Sequence, residues 1–177
     1  MPISNNRIIL TDVDGVLLEW EKHFTDWMLQ RSYYNENEER VYPYKLLPNK
    51  ENTYEMAERF GLTIPEIRKE IREFNKSAWM ATQCPMPDSQ TWVKLLAAEG
   101  WTFIPITSQT SDIPAQTVRK KRLGELFGHH IFTNYHILDT GADKDSALAE
   151  FHLSLIHISE PTRRTPISYA VFGLEKK

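Results

Sequence analysis

One cysteine, Cys84, is all the chain contains, so no internal disulfide can staple the fold. Long apolar runs are missing too: no uninterrupted stretch approaches the roughly 18 residues of a membrane-spanning helix. Nor is there a strong excess of one charge. The 21 Lys and Arg against 24 Asp and Glu give a formal net charge of -3, with no basic footprint for a nucleic-acid polymer or an anionic membrane. The N-terminal MPISNNR shows neither the charged nor the apolar region of a secretory leader. These absences imply a cytoplasmic protein with small-molecule partners, and they leave the oligomeric state open. What is present, 177 residues with 41% hydrophobic and 11% aromatic content, suffices for one substantial core.

Residues 7–11 (RIILT) form a short apolar, β-branched run that predicts a strand buried on both faces. Residues 19–32 change to helical spacing, with Trp20, Phe24, Trp27 and Met28 on one side. Residues 33–53 are polar, tyrosine-rich and broken by Pro43 and Pro48, which reads as a long loop. Helices are expected over 54–60 and 64–80, then over 89–99 with Asp88 as N-cap and Gly100 as terminator. Beyond that point strands and helices alternate: strand 102–106, helix 113–127, strand 130–133 and helix 144–151. Alternation of this kind predicts parallel strands joined by right-handed crossovers. The chain is therefore expected to be α/β, with a core of 1–18 and 85–152 and a helical block of 19–84 inserted as a cap.

At the end of the first strand stand Asp12 and Asp14, separated only by Val13 and followed by Gly15. In an open parallel sheet, ligands bind beyond the carboxyl ends of the strands. Two carboxylates held close there repel unless a cation binds or one is protonated, and hard, oxygen-seeking Mg2+ is the natural guest. Gly15 permits a sharp turn out of the sheet. Arg68, Lys69, Arg72 and Lys76 interleave with Glu66, Glu70 and Glu73 and read as a solvated helix face. His129, His130 and His136 fit no closed zinc pattern.

The string DVDGV after a hydrophobic strand resembles the first motif of the haloacid dehalogenase-like superfamily, most of whose members are phosphatases or phosphotransferases. The resemblance implies that Asp12 is the nucleophile that forms an aspartyl-phosphate. It makes Asp14 the acid that protonates the leaving oxygen and later the base that activates water. A hydroxyl residue at the end of the next core strand is the family's second motif, for which Thr107 is the first choice and Ser108 the next. A lysine near a helix start is the third, supplied by Lys144 in GADKDSALAEF. Residues 19–84 match the position of the family's C1 cap, and the implied fold is a three-layer Rossmann-like parallel sheet. The function so implied is Mg2+-dependent hydrolysis of a small phosphomonoester, a phosphorylated metabolite or nucleotide. Asp12 and Asp14 would serve the metal, and Thr107, Ser108 and Lys144 the phosphate. A phosphotransferase such as a phosphomutase is the alternative within the family, and a catalytically impaired phosphate-binding fragment is the alternative outside it.

That last alternative arises because the family's fourth motif, an acid after a further strand, is not found. Residues 153–163, LSLIHISEPTR, resemble the translation of a transposon-end sequencing adapter, and 167–172, ISYAVF, resemble its continuation after a short index. Residues 153–177 thus read as library sequence joined to a gene fragment that stops before its fourth motif. The competing reading is a genuine strand SLIHI followed by Glu160 as a substitute acid.

Overall fold

The computed structural model of the chain describes residues 7–149, residue 151 and residues 172–174. β1 spans Ile8–Thr11, and its β-branched and aliphatic side chains suit a strand covered on both faces. Gly15 follows at φ 77°, a left-handed backbone that any residue with a Cβ adopts at a cost. The turn closes on Val13, whose carbonyl accepts the Leu17 and Leu18 N–H groups at 2.9 Å each. α1 (Trp20–Gln30) then turns Phe24, Trp27 and Met28 inward. The polar stretch read as loop carries a two-residue hairpin, β2 (Tyr33–Tyr34) antiparallel to β3 (Arg40–Val41). Asn35 closes it by accepting the Asn37 and Glu39 N–H groups at 3.0 and 2.9 Å, a local bond that composition does not reveal.

α2 (Met56–Phe60) ends at Gly61, left-handed at φ 64°. α3 (Ile64–Lys76) opens where Glu66 reaches back to accept the Thr63 N–H at 2.8 Å. The single helix expected over 64–80 breaks at Ser77, whose backbone is extended and whose hydroxyl donates to the Phe74 carbonyl at 2.7 Å. Ala78–Thr82 form a 3-10 turn instead. α1, α2, α3 and this turn pack around one aromatic cluster, with Phe24 stacked on Trp20 at 5.0 Å and edge-on to Phe74 at 5.5 Å between ring centroids.

α4 (Ser89–Ala98) begins after Asp88, which occupies the expected cap position without capping. Its backbone is left-handed, at φ 64°, and its side chain makes no bond to the helix. β4 (Thr102–Ser108) runs two residues past TFIPI, so Thr107 and Ser108 close the strand rather than follow it. α5 (Ile113–Phe127) has the limits the sequence predicts, with Asp112 accepting the Ala115 N–H at 2.9 Å. The strand expected over 130–133 shrinks to one parallel bridge between Phe132 and Phe103. Asn134, at φ 48°, breaks the extended run, and β5 forms further on, at His136–Leu138. α6 (Asp145–Ala149) and β6 (Phe172–Leu174) complete the described elements.

The sheet order is β5-β4-β1-β6, in which β5, β4 and β1 are parallel and β6 is antiparallel to β1. The chain is thus mixed α/β with a three-strand parallel sheet. The register pairs Ile8 with Thr102 and Thr11 with Pro105, which sets the end of β1 level with the middle of β4. Alternate residues face opposite layers. Ile9 and Phe103 pack with Val93 of α4 and with Leu123 and Phe127 of α5, whereas Leu10, Ile104 and Ile106 pack with Ala147 of α6. The segment SLIHI lies outside the described residues; Phe172–Leu174 is the segment beside β1. No helix among the described residues is long and apolar enough to cross a membrane.

Candidate functional site

β1 carries Asp12 to the carboxyl end of a parallel strand. Asp12 Oδ1 accepts the Val13 N–H at 2.7 Å, and Oδ2 lies 2.6 Å from Nζ of Lys144, 132 positions away. The two side chains are 37% and 32% exposed, so a ligand could reach the pair by displacing water rather than packed side chains. Lys144 stands directly before α6, and the packing of Ala147 and Leu148 against Leu10, Ile104 and Ile106 holds it beside the end of β1.

Asp14 meets a different cation. Its Oδ1 lies 2.5 Å from Nη1 of Arg119, whose side chain is wholly buried in α5. The Arg119 Nε and Nη2 atoms are also buried and have no hydrogen-bond partner among the described residues. Burial is the largest influence on the Asp14 carboxyl and raises its pKa from the ordinary 3.8. Arg119 opposes that shift, and the neighbouring Asp12 charge adds to it. A carboxyl held above its ordinary value keeps its proton to higher pH, which suits a proton donor.

Arg119 lies in no motif, yet the helix periodicity around it carries a signal. Of the basic run Arg119, Lys120, Lys121 and Arg122, only Arg119 falls on the buried stripe, which it completes with Ala115, Leu123 and Phe127 at a spacing of four residues. A charge on an apolar stripe needs a partner. Glu70 obeys the same rule and corrects the reading of α3 as solvated on that side. It is buried between Ile67 and Phe74, and it accepts from Arg31 and from the Tyr44 hydroxyl, the latter at 2.9 Å. Arg68, Lys69, Arg72 and Lys76 are exposed.

The two hydroxyls at the end of β4 differ. Thr107 is buried and its Oγ1 has no partner among the described residues, whereas Ser108 Oγ donates to the Ala142 carbonyl at 2.7 Å. Asn75 and Gln109, both buried, exchange side chain-to-backbone bonds of 2.8 and 3.2 Å and tie α3 to the segment after β4. Structure therefore joins Asp12 to Lys144 and Asp14 to Arg119, and leaves Thr107 without a bond to any of them.

Mg2+ requires about six oxygen ligands in near-octahedral order. Asp12 and Asp14 each already face a cation of the chain, and no third acidic or imidazole ligand joins them among the described residues. With both carboxylates engaged by Lys144 and Arg119, the side chains as they stand do not present a Mg2+ shell. The one cluster of three metal-ligating side chains among the described residues lies elsewhere, at Glu19, His23 and Cys84. In comparisons with known proteins, the chain matches no family model, no curated protein and no solved structure.

Proposed function

We propose that the chain is a haloacid dehalogenase-like phosphatase with a helical cap, and that it hydrolyses a small phosphomonoester through an aspartyl-phosphate on Asp12. The observation that supports this most is the contact between Asp12 and Lys144, two residues far apart in sequence whose motif order implies that they share a phosphate. In the first step a carboxylate oxygen of Asp12 attacks phosphorus. The bond from phosphorus to the leaving alcohol breaks, and Asp14 gives that oxygen its proton. Water then attacks the acyl-phosphate, Asp14 takes the water proton, and inorganic phosphate departs with Asp12 restored. Lys144 offsets the charge on the phosphoryl oxygens, and the Thr107 hydroxyl, without a partner among the described residues, is a donor suited to one of them. The Mg2+ that this family uses would need an acid beyond Asp12 and Asp14, so weak Mg2+ binding is expected of the chain as it stands.

That shortage favours a second reading, a catalytically impaired phosphate-binding protein on the same scaffold. Phosphate release from p-nitrophenyl phosphate, with and without Mg2+, separates the two. Release that Asp12→Asn abolishes supports the hydrolase; a variant rate within about tenfold of the parent removes Asp12 as nucleophile. Binding of inorganic phosphate without turnover supports the second reading, and absence of both overturns each.

A further inference from the structure

We infer that Glu19, His23 and Cys84 form a binding site for a borderline-soft divalent cation of the Zn2+ type. One ligand atom from each of the three lies within 4.8 Å of those of the other two. The backbone fixes this convergence. Glu19 stands just before α1, and His23 is one turn later, with its N–H donating to the Glu19 carbonyl at 3.1 Å, so the spacing of four sets both side chains on one face. Cys84 arrives from the other direction, after the 3-10 turn. Its carbonyl accepts the Glu19 N–H at 3.0 Å, and Leu18 and Pro85 form the adjoining antiparallel bridge.

The chemistry of the set selects its guest. A thiolate and an imidazole favour Zn2+, Co2+ or Cu over Mg2+, and three protein ligands leave a fourth position for water. Bonds of about 2.0–2.3 Å to one tetrahedral centre put donor atoms roughly 3.5 Å apart, so donors that lie within 4.8 Å of one another close on a metal by no more than about 1.3 Å. Exposed Cys84 can supply that by rotating about χ1, and the Glu19 carboxylate faces Lys22 at 3.7 Å, a surface pair that costs little to break. His23 gives up a single bond: Nε2 accepts the Cys84 N–H at 3.0 Å, while Nδ1 is buried with no partner among the described residues. A metal here would staple the segment that leaves β1 for α1 to the segment that returns toward α4.

The single cysteine makes the test clean. Full-length chain, stripped with chelator, is titrated with Co2+ and with Zn2+. The expected result is a near-ultraviolet thiolate-to-Co2+ absorption, which only Cys84 can supply, together with Zn2+ protection of Cys84 from alkylation. Cys84→Ser should abolish the absorption. His23→Gln and Glu19→Gln should each weaken Zn2+ binding by about tenfold or more, while millimolar Mg2+ leaves it unchanged. Absence of the thiolate band in the parent overturns the site, and so does Zn2+ affinity that His23→Gln leaves intact in a variant whose metal-free melting matches the parent.

Discussion

At the scale of single residues, the two aspartates of DVDGV show how much a spacing can and cannot say. Their place at a strand end is legible, because an apolar run stopping at charge and glycine has few other uses. Their partners are not, because Lys144 and Arg119 arrive from elements more than a hundred positions away. Lys144→Ala should lower phosphate release by about 10^2 to 10^3-fold, the usual effect of losing one preorganised charge at a reacting anion, with unfolding midpoint little changed. Asp14 carries a pH prediction. Burial raises its native pKa above the ordinary 3.8, so the folded chain binds that proton more tightly than the unfolded one. The resulting stability is full below about pH 3.8 and is lost as pH rises through the raised native value. Denaturant unfolding from about pH 4 to pH 7 should therefore show the parent losing stability relative to Asp14→Asn as pH increases. The opposite slope would mean that the Arg119 charge outweighs burial.

At the scale of elements, legibility follows the number of independent local signals. α5 is readable to the residue because Pro114 in its first turn and Gly128 after its end mark its two limits. β5 is displaced because its position depends on one left-handed residue, Asn134, and no composition rule forces that residue out of the extended run. Asp88 and Asp112 look alike in sequence and differ in the fold, which gives a paired prediction. Asp112→Ala should cost about 1 kcal/mol through loss of the bond to the Ala115 N–H. Asp88→Gly should be neutral or stabilising, since it removes no cap and relieves a left-handed backbone. Equal losses from both, by chemical denaturation, would show that Asp88 caps α4 in solution. Gly15→Ala should cost about 1–2 kcal/mol from φ 77° alone, because no atom lies within 4 Å of the added Cβ.

At the scale of the whole molecule, the contribution of the segment after residue 151 can be weighed against the sheet it joins. Its only described part, Phe172–Leu174, adds three antiparallel residues to the outer side of β1. The parallel trio β5, β4 and β1 is already covered by apolar clusters on both faces, one built with α4 and α5 and the other with α6. Burial on that scale outweighs a three-residue ladder, since each fully buried aliphatic or aromatic side chain is worth about 1.5–3 kcal/mol. Ending the chain after residue 151 should therefore leave a cooperatively folding protein whose phosphate binding and release lie within about tenfold of the full chain. It should also associate more readily, because β1 becomes an unpaired edge, and gel filtration at rising concentration would register that. Glu160→Gln in the full chain is the complementary measurement. If the shortened chain fails to fold, or if Glu160→Gln abolishes phosphate release that the parent shows, the resemblance of residues 153–177 to adapter sequence is coincidental and the segment is a working part of the protein.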